Sequence, residues 1–364
     1  MSKYIIFVLL FIFIANVIQA FIPHWTRKTE NFGVSIPENL YARLDFKKMR
    51  TNYSIVLTIV NVVIFGILLL FVNSFSEKSL ITAIFLYIFL FIVLSFVYYL
   101  RFHFKMKKIK EKENWLEEKE EVVIIDTSFS DEKLVYSNGW FLIPFFIVIL
   151  TVSYTMFVYD HIPNEIPIHT SMSGEVTYEE KSLKNLLFLP VTQLFLIGVF
   201  IVVNIVIKHS KQQVGVQNPE RSKIQNIKFR RRWSLFTVIS SILLTLLLTF
   251  SQMTFIYPDL LPYDDIVIMS VLGLFTVGTI ILAMVTGQGG SRIKVDGERE
   301  DSRIERDEDQ YWKLGQFYFN KNDPSIFVEK RFGVGWTNNW AHPVSWIFLI
   351  VLLAFPIVII LLLK

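Results

Sequence analysis

The segment Tyr159-Asp160-His161-Ile162-Pro163-Asn164-Glu165-Ile166-Pro167-Ile168-His169 sets two of the six histidines beside carboxylates, and Glu175, Glu179 and Glu180 follow. Histidine with carboxylate is a donor set for a divalent cation. The spacing matches no compact ligand motif, and cysteine is absent altogether, so no metal is assigned. The same residues on a stiff loop suit recognition of an external ligand, or a structural cap whose histidines bond backbone carbonyls. All three readings stand. Two prolines four residues apart disfavour helix, and Gly174 permits a sharp reversal, so a defined cap is expected. The candidate ligand-binding residues are Asp160, His161, Pro163, Glu165, Pro167, His169, Gly174 and Lys181.

A second constellation lies in 311–343. Tyr311-Trp312-Lys313-Leu314-Gly315-Gln316-Phe317-Tyr318 alternates aromatic and polar residues; an Asn-Asp-Pro turn at 322–324 and Phe327-Val328 follow. This pattern predicts a small hairpin, too short to carry its own core and therefore packed on neighbouring loops or the membrane surface. Lys330, Arg331, Gly333, Gly335 and Trp336 are the candidates for docking a cytoplasmic partner. Gly333-Val334-Gly335 is no phosphate loop, because no Lys-Ser/Thr follows it.

What must position these groups is a set of eight apolar stretches: Tyr4–Ile22, Ile55–Phe71, Leu80–Leu100, Trp140–Val158, Leu186–Ile207, Trp233–Ile256, Ile266–Val285 and Val344–Leu363. Each is about as long as a helix needs to cross a hydrocarbon layer of roughly 30 Å, and none has an interior Asp, Glu, Lys or Arg. The expectation is an all-α polytopic membrane protein of eight transmembrane helices, with the hairpin module before the last helix. Of the 36 Lys and Arg, 31 fall in 23–53, 101–139, 208–232 and 286–343, every second connection. Basic residues collect on the cytoplasmic face. Both termini are therefore predicted outside, with Trp25, Trp140, Trp233 and Trp346 at the interface. Ile18-Gln19-Ala20 has the look of a signal-peptide cut, but the basic segment behind it argues for a retained helix.

The expected organisation runs as follows. Residues 1–53 hold the first helix and a cytoplasmic loop, and 54–138 helices two and three with a charged segment containing a short strand at Val122–Ile125. Residues 139–232 hold helices four and five with the outer loop, and 233–286 helices six and seven. A disordered charged linker spans 287–310, the aromatic and glycine module 311–343, and the final helix 344–364. Pro190 is expected to kink the fifth span, with Thr192 and Gln193 meeting the freed carbonyls.

Catalysis is not expected. There is no His-Glu-x-x-His, no Gly-x-Ser-x-Gly and no intramembrane Asp pair, and no cofactor motif occurs. The spans carry Asn16, Gln19, Asn61, Gln193, Asn204 and Gln252 but no ionisable residue of the kind proton relays use. The net charge of +4 is ordinary for basic inner loops and does not suggest nucleic acid.

Ile162, Pro163, Ile166, Pro167, His169, Gly174, Lys181 and Ser182 resemble the extracellular loop of the SdpI family, bacterial membrane proteins that give immunity to a secreted toxic peptide and help signal its presence. Phe32-Gly33-Val34-Ser35-Ile36-Pro37 is similar to that family's cytoplasmic Phe-Gly-Ile-Arg-x-Pro loop, with Ser35 in place of the basic residue and with the loop order reversed. The stretch 311–340 is similar to an uncharacterised module of Gram-positive membrane proteins. The resemblance implies a plasma-membrane immunity or sensor protein. Its partners would be membrane lipid, a secreted peptide toxin outside and a cytoplasmic regulator inside. A transporter or lipid-handling protein is the alternative, and an enzyme with an outer-face metal ranks last. The charge split predicts that cysteines replacing Ser173 and Lys364 react with an impermeant reagent in intact cells and that one replacing Ser302 does not; the reverse pattern would invert the orientation.

Overall fold

The computed structural model describes residues 3–115, 132–171, 174–211, 219–295 and 308–362. The expected strand at Val122–Ile125, residues 296–307 of the charged linker, and the labelling positions Ser173, Ser302 and Lys364 lie outside the described residues.

The described chain is mostly helical: α1 Lys3–Ala20, α2 Leu44–Phe71, α3 Glu77–Lys112, α4 Leu142–Phe157, α5 Leu183–His209, α6 Pro219–Ile256, α7 Leu261–Thr286 and α8 Pro343–Leu362. Among the described residues six helices, α2 to α7, are long and apolar enough to cross a membrane by length and composition. α1 adds a shorter apolar stretch, Ile5–Ala20. Large apolar side chains stand exposed along the outer faces, Leu70 at 79% and Phe85 at 65% among them. Water would oppose such a surface, whereas lipid matches it. This is the make-up of an integral membrane protein.

Four two-stranded antiparallel ladders interrupt the helices: β1 Glu30–Asn31 with β2 Val34–Ser35, β3 Glu165–Thr170 with β4 Val176–Glu180, β5 Trp312–Lys313 with β6 Phe317–Tyr318, and β7 Phe327–Glu329 with β8 Trp336–Asn338. The 311–343 module is thus two short ladders rather than one hairpin, joined by a bridge between Tyr318 and Asn339.

The chain resolves into two compact units. One holds residues 1–8, 134–208 and 231–281; the other holds 9–133, 209–230 and 282–364. In the first, Phe141, Val148, Ile197 and Val238 form a core, and Ile162, Ile166, Leu186, Phe255 and Ile256 form another beneath the β3–β4 hairpin. α5 runs through Pro190, which has no N–H to give the carbonyl of Leu186. The expected donors do not serve it: Thr192 bonds Phe188, and Gln193 bonds Thr245 and Thr249 on α6. Instead Gln252 Nε2 donates to the Leu186 carbonyl at 3.0 Å. A neighbouring helix supplies the bond because, away from water, an unpaired carbonyl is costly.

In the second unit the span polars also pair between helices. Asn16 Nδ2 donates to Asn61 Oδ1 at 3.2 Å, Tyr87 Oη donates to the same oxygen at 2.5 Å, and Gln19 Nε2 reaches Ser95 Oγ at 3.0 Å. The 36 residues of α3 make about 54 Å of helix, well beyond one hydrocarbon layer. Its basic end continues as a stem that buries Tyr99, His103, Met106 and Lys110 along one face.

Gln252→Leu should cost about 1–2 kcal/mol in thermal unfolding of detergent-solubilised protein. In a Pro190→Ala background, where the helix supplies its own donor, the same change should cost clearly less. Equal losses in both backgrounds would separate Gln252 from the proline.

Candidate functional site

Two places concentrate chemistry. The first is the β3–β4 hairpin. Its register pairs Glu165 with Glu180, Ile166 with Glu179, Pro167 with Tyr178, His169 with Thr177 and Thr170 with Val176, and slips by one residue between Pro167 and His169. A proline cannot give a ladder hydrogen bond, and the bulge falls where it sits. Gly174 turns the chain at φ +95°. Ile162, Ile166 and Pro167 are buried, Pro163 is half-buried, and Asp160, His161, Glu165, Glu175, Glu179 and Glu180 are exposed. Lys181 points back into the hairpin: its ammonium donates to the carbonyls of Tyr159 at 3.1 Å and Ile162 at 3.0 Å and lies over the Tyr159 ring. It is a strut, which leaves the outer carboxylates uncompensated. Asp160, Glu165, Glu175 and Glu180 have no ion-pair partner among the described residues. No three histidine or carboxylate groups among the described residues gather as metal ligands.

The second place is a buried charged layer in the second unit, built by segments far apart in sequence. Glu329 is fully buried; it pairs with Arg27, accepts from Asn226 Nδ2 at 2.7 Å and lies 3.4 Å from Arg230 Nη2. Arg230, also fully buried, donates through Nε to Asn226 Oδ1 at 2.6 Å. Asn226 and Arg230 stand one turn apart on α6, which aims both side chains at the same carboxylate. Asp309 accepts from Lys110 Nζ at 2.7 Å, from Ser35 Oγ at 3.0 Å and from Arg331. Burial alone would raise the Asp309 pKa, but Arg331 and Lys110 overcome it and hold the group down at about 2. Glu30 is different. It is buried, its nearest cation is Arg331 at 3.9 Å, and its Oε2 has no hydrogen-bond partner among the described residues. Desolvation outweighs Arg331 and Arg27 and pushes Glu30 up to about 7.

Two glycine turns close this layer. Phe32 (φ +48°) and Gly33 (φ +72°) join β1 to β2, while Leu314 (φ +51°) and Gly315 (φ +69°) begin the β5–β6 turn. Tyr99 Oη lies 3.1 Å from both the Phe32 and the Leu314 carbonyls, and His103 Nδ1 lies 2.8 Å from the former. A Cβ on Gly33 would run into the Gly315 carbonyl and the Tyr99 hydroxyl.

The docking candidates fall largely inside this layer. Arg331 is buried and committed to Asp309 and Glu30. Trp336 is half-buried with its ring 5.3 Å from Phe229. Gly333 and Gly335 take φ +99° and +108°, as turn glycines. Lys330 lines a crevice of about 280 Å³. The ends of the 287–310 linker are corrected outright. Gln288 is fully buried, and its side-chain amide exchanges two hydrogen bonds with Gly335, at 2.9 and 2.7 Å. Asp309 belongs to the ion network, so these ends are ordered because their polar groups have fixed partners. Arg27, Glu30, Lys110, Asn226, Arg230, Asp309 and Glu329 were not singled out by the sequence, where they read as ordinary loop charges. The one-face spacing of Tyr99, His103 and Lys110, and of Asn226 and Arg230, was the available signal.

Residues 146–194 match a domain of unknown function, DUF1648, and residues 321–346 match a family of unknown function, DUF5808. The first covers the hairpin and parts of its flanking helices; the second covers most of the β7–β8 region. No curated protein and no solved structure matches the chain.

Glu329→Gln removes the carboxylate that Arg27 and Arg230 share and should destabilise the protein by roughly 3–5 kcal/mol, read as a fall in melting temperature. Glu30 gives a signed pH dependence. A carboxyl raised from 4.5 to about 7 on folding makes the folded state bind the extra proton, so stability falls as pH rises from 4.5 to 7 and is flat above. The total is roughly 3 kcal/mol, and Glu30→Gln should abolish that slope and raise stability at pH 8. Asp309 acts oppositely, its contribution being lost as pH falls through 3.8 towards 2.

Proposed function

We propose that this chain is an eight-span protein of a bacterial plasma membrane, both termini outside, which recognises a cationic peptide through the β3–β4 hairpin in an immunity- or sensor-like role. It performs no catalysis of its own. The observation that carries the reading is Glu165 facing Glu180 across the ladder, both exposed, with Lys181 turned away. Like charges directly opposite in a ladder destabilise it, and a bound cation relieves that cost. The arrangement is poor for a mere cap and good for a receptor. β4 is the edge that suits strand addition: it has no proline, and Thr177 to Glu180 are exposed, whereas β3 is broken by Pro167 and its bulge. The buried Ile162 and Ile166 hold the hairpin on its helices, so the ligand meets a preformed edge. The resemblance to the SdpI loop supports a peptide ligand, and a cytoplasmic regulator would read the state of the chain from the exposed surface of the segments that the buried charged layer ties together.

The test uses the full chain in nanodiscs of zwitterionic lipid, with a synthetic alternating Lys-Val peptide and its Glu-Val counterpart as probes followed by fluorescence anisotropy. The cationic probe should bind at least about tenfold more tightly than the acidic one, consistent with charge complementarity at an exposed edge. The preference should vanish in Glu165→Gln/Glu180→Gln. Equal binding of both probes, or a preference that survives the double variant, sinks the proposal.

A further inference from the structure

The crevice beside Lys330 is unexplained by the hairpin or by the ion network. Its volume is about 280 Å³, and its walls include Tyr53, Ser95, Tyr99, Phe332 and Trp340. No carboxylate lines it. Arg331 borders it, but its guanidinium already pairs with Asp309 and lies 3.9 Å from Glu30. Lys330 is exposed and lines the crevice, and its ammonium has no hydrogen-bond or ion-pair partner among the described residues. A cation at the edge of an aromatic crevice, open to solvent and without an anion of its own, is available to an anionic ligand.

The mouth indicates the side from which an anion would enter. Ile92, in the apolar part of α3, and Phe317, on β6, both line the crevice and stand exposed, at 48% and 42%. Gln19, in the last turn of α1, lies at the same level. One wall therefore belongs to the apolar belt and the other to the charged module. Such a junction suits a molecule with an anionic head and apolar tails. We propose that the crevice binds the phosphate headgroup of an anionic phospholipid, with Lys330 on the phosphate oxygens and the acyl chains leaving along Ile92. A charge-assisted contact to phosphate is stronger than a neutral one, and the aromatic walls give the glycerol an apolar face to lie on. The volume accommodates a phosphate and its glycerol.

The experiment compares phospholipid retained on the intact protein after extraction from vesicles of phosphatidylglycerol and phosphatidylcholine, read by native mass spectrometry. Wild type should retain one phosphatidylglycerol in preference to phosphatidylcholine. Lys330→Gln should lower that retention about tenfold, Lys330→Arg should keep it, and Lys313→Gln, an exposed cation of the same module, should not change it. Melting temperatures within a few degrees of wild type certify the Gln variant; if it unfolds, the Arg variant and a titration of wild type with phosphatidylglycerol decide. Undiminished retention by a folded Lys330→Gln protein overturns the site, as does loss of retention in Lys330→Arg or no lipid preference in wild type. A competition arm adds inorganic phosphate or glycerol 3-phosphate at millimolar concentration. Displacement of the lipid by either at that level would assign the crevice to a soluble phosphate and overturn the lipid assignment.

Discussion

Charge placed where water is scarce must be matched within the protein, and the second unit is arranged around that requirement. Arg27 meets Glu329 across 302 residues of sequence, Lys110 meets Asp309 across 199, and Arg230 meets Glu329 across 99. Two anions thereby gather the first loop, the α3 stem, the polar start of α6 and the C-terminal module. Buried pairs of this kind add little net stability relative to apolar packing, because desolvation offsets the attraction. Their effect is on arrangement: a wrong pairing of segments strands a charge. The layer therefore selects one way of bringing four remote segments together.

The two glycine turns work on the same residues by exclusion. Phe32-Gly33 and Leu314-Gly315 approach so closely over Tyr99 that neither glycine has room for a side chain. Phe32 itself stacks on Phe102 at 4.9 Å and is sealed from solvent. Sterics set the approach of the loops and charge sets their order, so each constrains what the other leaves free.

How much of this was legible varies with the physics behind each element. Helix existence was plain, because runs such as 80–100 can satisfy their backbone in lipid only as helices. The outer prolines correctly argued against helix at 163–167. Local reasoning failed at Pro190, whose freed carbonyl is met by Gln252, more than sixty residues away and on another helix. It failed again at 287–293 and 308–310, where high polarity suggested a solvated tether but the polar groups bond buried partners. Composition measures the cost of burying a segment and is blind to a partner that removes the cost. For the same reason Arg331 looked like a docking cation: its two acidic partners lie at positions 30 and 309.

The order of these charges along the chain has a bearing on biogenesis. Arg27, Lys110 and Arg230 leave the ribosome before either Asp309 or Glu329 has been made, with Glu30 the one early acid of the layer. Until the last sixty or so residues are translated, the three cations face the aqueous margin with anionic lipid headgroups as their available counter-ions. Closure of the layer therefore exchanges lipid for carboxylate late in synthesis, shortly before α8 is made. A chain truncated before residue 309 would carry α1 to α7 yet stay electrostatically open, a state that quality-control proteases read from its uncovered stems.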